Sequence, residues 1–317
     1  MIKQYLNPIK PALRQLKTGL CQSIGKFVDI VPNENLVIFS DPRGGSTWMA
    51  ELIGQLPKTA LLWEPLNVAR VDHFKRLNFS LRQYIPEDEN WPQAQEAFKQ
   101  LFRGKVLNYY TCSFSSPFDF LFAERMVVKF CRGNALLPWL TRFFNFTYQP
   151  IFLVRHPFAV AASQLSHPAW ASEFKGYNIP DSPFNEIYLQ HSDFLLSLKH
   201  KYEALVATWC LTNLIPLRNP RNNRDWITVY YENLILNPEQ QLGNIFNRWN
   251  TPLPASVLKH ITIPSATTRD ATFRQSREKQ LSKWKRFFDK TQTERMTAVL
   301  QYFGVTEYTT DIFPHLD

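Results

Sequence analysis

The stretch Asp41-Pro42-Arg43-Gly44-Gly45-Ser46-Thr47-Trp48 gathers residues suited to gripping an anion. Two adjacent glycines let the backbone turn tightly and approach a ligand closely. A helix starting near Ser46 would aim its unpaired N–H groups and positive dipole end at whatever the turn encloses. The Ser46 and Thr47 hydroxyls add donors, and Arg43 adds a fixed charge. Together they describe a cradle for a phosphate. It is not a Walker A loop, because GxxxxGK[ST] is absent and no Lys precedes the Ser-Thr pair. A second pair lies in RHPFAVAAS (155–163), where Arg155 ends an apolar run and Ser163 follows eight residues later on a helix that Pro157 opens. At the carboxyl end of a strand in a parallel sheet, this pair can grip a second phosphate.

Positioning these groups requires strands that end where the loops begin. Residues 35–40 (NLVIFS), 59–63, 126–130 (MVVKF), 150–155 (PIFLVR) and 226–231 (WITVYY) read as buried strands. Helices are predicted from about Ser46 to Leu56, from Pro157, through Phe194, Leu198, Leu205 and Trp209 as one long element, and from about Pro238 to Trp249. This alternation predicts an α/β fold, a P-loop-like three-layer domain with a central, mostly parallel β-sheet flanked by helices. One domain is expected over residues 31–317, with aromatic, Pro-rich insertions around 65–125 and 164–186 that shape a substrate cleft. Residues 1–30 stand apart as an amphipathic, basic helix, with Ile9, Leu13, Leu16, Leu20, Ile24 and Phe27 at three- and four-residue steps. It fits either a helix docked on the body or an anchor on a membrane surface.

The motifs resemble the sulfotransferases that use 3′-phosphoadenosine 5′-phosphosulfate (PAPS), over about residues 35 to 290. RGGSTW (43–48) resembles their 5′-phosphosulfate loop and RHPFAVAAS their 3′-phosphate motif. VYYENLILNPEQ (229–240) is similar to the family's Tyr-Glu-Asp-Leu segment, and REKQLSKWKRFF (277–288) to its basic C-terminal segment. The resemblance implies that Arg43 binds the 5′-phosphate and stabilises charge as the sulfuryl group leaves. Gly44, Gly45, Ser46 and Thr47 would surround the phosphate oxygens, and Trp48 would pack near the adenine. Arg155 and Ser163 would bind the 3′-phosphate, joined by Arg277 and Lys279, and Tyr231 would approach the base. Leu62-Trp63-Glu64-Pro65-Leu66, with Glu64 21 residues after Arg43, resembles the Glu-Pro-Leu segment of carbohydrate and bacterial members. It makes Glu64 the expected catalytic base, in place of the His that cytosolic small-molecule members use; the competing reading is a surface Glu capping a turn. His73 and His167 are lesser candidates. PAPS, leaving as PAP, is the implied donor, with no metal required. The acceptor is a carbohydrate or other small molecule bearing a hydroxyl or amine.

Composition bounds the alternatives. With 317 residues, 44% hydrophobic and 20% charged, the chain has a globular balance. Its net charge of +9 fits plain solubility or an anionic partner. A kinase-like phosphotransferase would need a Walker Lys and an acidic magnesium ligand, and the sequence offers neither. A basic nucleic-acid or membrane binder would mass its charge in a stripe, and these bases are spread, so no nucleic-acid partner is expected. Cys21, Cys112, Cys131 and Cys210 form no CxxC pair or metal-ligand spacing. No apolar run approaches ~18 residues, so a cytoplasmic setting is expected, membrane-peripheral if the first helix binds lipid. Aromatics at 15% allow a ring-lined cleft, with Tyr109, Tyr110, Phe114, Phe118, Phe120, Trp170, Phe174 and Tyr177 stacking an acceptor or simply packing a lid.

Overall fold

In the computed structural model, residues 2–266 and 277–316 are described, with side chains for 11–266 and 279–316. Five strands form one sheet: β1 (Leu36–Ser40), β2 (Thr59–Trp63), β3 (Arg125–Phe130), β4 (Ile151–Val154) and β5 (Ile227–Tyr230). Their order is β2-β3-β1-β4-β5 and every pairing is parallel. The crossovers are helical, as parallel pairing requires. The α-helices among the described residues are α1 (Ile2–Gly25), α2 (Ser46–Ile53), α3 (Pro92–Phe102), α4 (Asp119–Phe122), α5 (Leu137–Phe143), α6 (Pro157–Leu165), α7 (Glu186–Leu189), α8 (Ser192–Ser197) and α9 (Lys201–Leu217), then α10 (Tyr231–Leu236), α11 (Pro238–Arg248), α12 (Ala255–His260), α13 (Arg277–Leu281) and α14 (Lys290–Tyr302).

Every residue of β1 is buried, because both faces of the sheet are covered and a strand covered twice has no polar side. Alternation within β1 divides it between two cores. Val37 and Phe39 join the cluster of Phe74, Phe98 and Trp139, whereas Leu36 and Ile38 join that of Met49, Leu52 and Phe246. The predicted α/β architecture is the observed one.

Two local expectations are corrected. The helix predicted through residues 194–209 is two helices, α8 and α9, separated at Leu198 and His200, whose backbones are extended. The Glu203 carboxylate accepts the N–H groups of Lys199 at 3.1 Å and His200 at 2.8 Å, so a new helix start is capped where continuity was expected. The insertion 65–125 is also more than a cleft wall. It contains α3, whose Ala94, Phe98, Leu101 and Phe102 are buried. Rings of Phe74, Phe79, Phe98, Phe102, Phe130 and Trp139 contact one another in series, so much of the aromatic excess is core.

Candidate active site

Each strand hands a candidate residue to the same edge of the sheet. The loop of residues 41–45 follows β1, Glu64 follows β2, Cys131 and Arg132 follow β3, Arg155 follows β4 and Tyr231 follows β5. Strand order reverses at β1, between β3 and β4, which is where open parallel sheets leave a crevice at their carboxyl ends. A cleft of about 1050 Å³ occupies that place, lined among others by Arg43, Ser46, Thr47, Trp48, Glu64, Arg155, Ser163 and Tyr231.

The phosphate-type loop is built on close backbone approach. A Cβ on Gly44 would lie 2.3 Å from Ser40 Oγ, and one on Gly45 2.4 Å from the Tyr231 ring. Gly45 has φ 98°, a value that L side chains rarely tolerate. Beside it Arg43 is also left-handed, at φ 72°, and a strained non-glycine residue of this kind persists only where its surroundings hold it. The hold is visible. Arg43 Nε donates to Ser163 Oγ at 3.1 Å, and the Arg155 guanidinium donates to the Arg43 carbonyl at 2.9 Å. Arg155 also lies 4.6 Å from the Tyr231 ring centroid, and its buried Nε has no hydrogen-bond partner among the described residues. The two sequence motifs therefore meet directly, with the Tyr231 ring filling the space that Gly45 leaves open.

Behind this layer, neutral and charged groups fix the backbone. Gln164 donates to the Pro42 carbonyl at 2.8 Å, and Trp209 donates to the Arg155 carbonyl at 3.1 Å. Glu232 accepts the His156 N–H at 2.9 Å and the Tyr308 hydroxyl at 3.0 Å. Burial pushes His156 down to about 3, so its ring is neutral and caps α6 through Nδ1. Asp41 accepts from Asn213 at 2.7 Å, and burial pushes its carboxyl up to about 6 against the pull of Arg82 and that amide.

Glu64 is surrounded quite differently. Its carboxylate meets Lys129 Nζ at 3.0 Å, Arg132 at 2.8 Å and the Tyr110 hydroxyl at 2.9 Å. Lys129 sits in β3, is 1% exposed along its side chain, and places its ammonium 3.1 Å from the Trp63 ring centroid. Burial pushes Glu64 up, but Lys129 and Arg132, aided by the hydrogen bonds of Lys129 and Tyr110, outweigh it and hold the carboxyl at about 2. Like Arg43, Glu64 is left-handed, at φ 37°. The turn-cap reading of Glu64 is thus replaced by an ion cluster that also lines the cleft.

The remaining expectations separate cleanly. Ser46 Oγ is buried and 3.1 Å from Cys131 Sγ, whose thiol burial pushes up to about 11. Thr47 is half-buried and Trp48 buried, both on the cleft wall. Lys279 is exposed and is not part of that wall, which Gln280 and Lys283 join instead. The side chain of Arg277 lies outside the described residues. His73 turns from the cleft to the Ala97 carbonyl at 2.9 Å, whereas His167 lines the cleft and caps the turn at Ala169. Of the aromatic inserts, Tyr110 and Trp170 face the cleft and Phe114 stacks on Trp63 at 3.9 Å. Phe120 is core, and Phe174 with Tyr177 lines a separate cavity of about 440 Å³. All four cysteines are free and buried.

Sequence reasoning missed Lys129, Arg132 and the pairing of Tyr110 with Glu64. The one available signal was a Lys inside the apolar run MVVKF, next to the strand that ends at Glu64.

No protein-family model matches the chain, and no curated protein matches it. Among solved structures it is similar to the sulfotransferase domain of the Synechococcus PCC 7002 olefin synthase at 18% identity, covering 86% of this chain and 95% of that one, with a TM-score of 0.46. The sulfotransferase domain from the curacin biosynthetic pathway is similar at 18% identity, covering 84% and 97%, with a TM-score of 0.44. Mouse sulfotransferase SULT7A1, complexed with PAP, is similar at 12% identity, covering 92% and 90%, with a TM-score of 0.43.

Proposed function

We propose that residues 31–317 act as one sulfotransferase unit that moves a sulfuryl group from PAPS to a hydroxyl or amine of a carbohydrate or other small acceptor. The observation that carries this reading is the junction of Arg43, Ser163, Arg155 and Tyr231 around Gly45, in one cleft with Glu64. The residues fit a doubly phosphorylated nucleotide. Gly44 and Gly45 let the loop close tightly against Ser40 and the Tyr231 ring at the start of α2, and the buried Arg155 Nε is a donor with no acceptor among the described residues.

PAPS supplies an activated sulfuryl group on a phosphate. Arg43, with the N–H groups at the start of α2, neutralises the charge that grows on the departing phosphate oxygen. The principle is that of other group transfers in which charge, not covalent chemistry, sets the barrier. Arg155 and Ser163 hold the 3′-phosphate, and Tyr231 fixes Arg155 from below. Lys283 takes the place expected for Lys279 in the basic segment, on the support that it lines the cleft. Trp48 contributes an apolar wall for the base.

Glu64 receives the acceptor's proton. Held at about 2, it is fully ionised at neutral pH but is a weak base. Such a base takes the proton late, once bond formation to sulfur has made the hydroxyl acidic. Lys129 and Arg132 are positioning residues that keep the carboxylate aimed and ionised.

The test is transfer of radiolabelled sulfate from PAPS to a panel of sugars, phenols and aliphatic alcohols, comparing wild type with Arg155→Ala. Loss of a charge-assisted contact costs roughly 1.5–3 kcal/mol, so Arg155→Ala should raise the KM for PAPS by about 10- to 150-fold. An unchanged KM would remove Arg155 from the nucleotide site.

A further inference from the structure

We propose that α1 is a docking helix for an anionic lipid bilayer and that it turns the Glu64 end of the cleft toward that surface. Residues 1–28 contain Lys3, Lys10, Arg14, Lys17 and Lys26 and no Asp or Glu. The next residue, Asp29, is paired with Arg103 at 2.7 Å. No helix among the described residues is long and apolar enough to cross a membrane, so contact with lipid would be along the surface.

The helix is fixed to the body at one end. Cys21 and Ile24 are buried in the core, and Lys105 Nζ donates to the Lys26 carbonyl at 3.2 Å and also to that of Val28. Through residues 11–20 the chain is exposed, apart from half-buried Thr18. Leu13, Leu16 and Leu20 recur at three- and four-residue steps and so share a face, yet they are 65%, 77% and 46% exposed. Just beyond the helix, Phe27 is 81% exposed. A bare leucine face on a helix with bases and no acids is the pattern of interfacial helices, which bury the apolar face among acyl chains and attract anionic headgroups. A second copy of the chain would bring two cationic helices together, whereas an anionic surface complements them.

The helix also has a definite place relative to the cleft. The Arg14 guanidinium lies 5.6 Å from the Tyr109 ring centroid, and the Tyr109 hydroxyl is 3.5 Å from Arg70, which lines the cleft. The next residue, Tyr110, donates to Glu64. Docking through α1 therefore brings the proton-accepting end of the cleft, not the Arg155 end, beside the lipid headgroups.

Flotation of the full chain with vesicles tests docking independently of any sulfotransfer. Wild type should float with an equal mixture of phosphatidylcholine and phosphatidylglycerol, less so as salt rises, and not with phosphatidylcholine alone. Leu13→Glu/Leu16→Glu/Leu20→Glu should stay with the pellet while keeping the wild-type melting curve. Arg14→Ser/Lys17→Ser should float more weakly with a flatter salt dependence. Equal recovery with both vesicle types, no recovery with either, or undiminished flotation of the triple variant would overturn docking. Self-association in sedimentation that the triple variant abolishes, without flotation, would assign the leucine face to a second copy and equally overturn it. Hydrogen exchange on anionic vesicles tests the orientation. Slowing at residues 11–27 together with 108–112 is expected, and slowing at 11–27 alone would contradict it.

Discussion

At the Arg155 end of the cleft, the Arg155 guanidinium is held by uncharged atoms. It contacts a carbonyl and an aromatic ring, and its Nε has no hydrogen-bond partner among the described residues. At the Glu64 end, Lys129 and Arg132 converge on one carboxylate. A cation held by neutral groups keeps its charge available to a ligand, whereas a cation paired internally has already spent its field on a neighbour. The first arrangement suits binding an anion that arrives and leaves. The second suits fixing one group in one protonation state. The buried carboxylates differ in the same way: burial of Asp41 outweighs the pull of Arg82 and the Asn213 amide and raises it to about 6, whereas the two cations at Glu64 outweigh its burial and lower it to about 2.

The largest effect expected on nucleotide binding is at Gly45. In Gly45→Ala the new Cβ meets Tyr231 at 2.4 Å in a backbone at φ 98°. Overpacking and left-handed strain together cost about 4 kcal/mol, or about 1,000-fold in PAP affinity by calorimetry. Arg43→Ala should lower kcat by about 100- to 1,000-fold, since removing one donor to developing charge costs roughly 3–4 kcal/mol. Both substitutions break the binding end and should leave the Glu64 cluster intact.

Glu64→Gln breaks the other end in a different way. It should abolish turnover, keep PAP affinity, and destabilise the fold by about 3–5 kcal/mol in urea, because it strands the buried Lys129. Adding Lys129→Met should restore much of the stability and none of the activity, which separates the proton role from the packing role.

How far the sequence foretold this arrangement can be judged from particular residues. The strands were legible because short apolar runs end in Gly-Gly, Glu-Pro and His-Pro, signals carried within a few residues. Arg43, Glu64 and Arg155 were legible for the same reason, lying beside those ends, and Ser163 through its eight-residue spacing from Arg155 along the helix that Pro157 opens. Lys129 was not, because a Lys within a strand ordinarily marks an exposed position, and only β2 beside β3 makes it a partner for Glu64. Its contact spans 65 residues, and those of Tyr110 and Arg132 span 46 and 68, distances over which local patterns carry no signal. The break between α8 and α9 failed for another reason, since the periodicity of Phe194, Leu198 and Leu205 runs straight through a cap made by Glu203. Similarly, ring content could not say which aromatics face a cleft and which face the core.

The two carboxylates give a pH test of smaller size. Glu64 is lowered from 4.5 to about 2, so its stabilisation is full above 4.5 and is lost as pH falls through about 2. Asp41 is raised from 3.8 to about 6, so its contribution is present below 3.8 and is lost as pH rises through about 6. Asp41→Asn should therefore gain on wild type by up to about 3 kcal/mol as pH rises from about 4 to about 7, read from melting curves. The smallest change is expected from Ser163→Ala, where one hydrogen bond to Arg43 is lost. A cost of about 1 kcal/mol would weaken PAP about fivefold.

The most direct test of the account is a calorimetric titration of the purified chain with PAP and, separately, with ADP, without added metal. The meeting of Arg155 and Ser163 at the phosphate loop predicts PAP binding at micromolar or tighter affinity and ADP binding much more weakly, since only PAP carries the 3′-phosphate. Equal affinities for the two, or binding of neither, would contradict it.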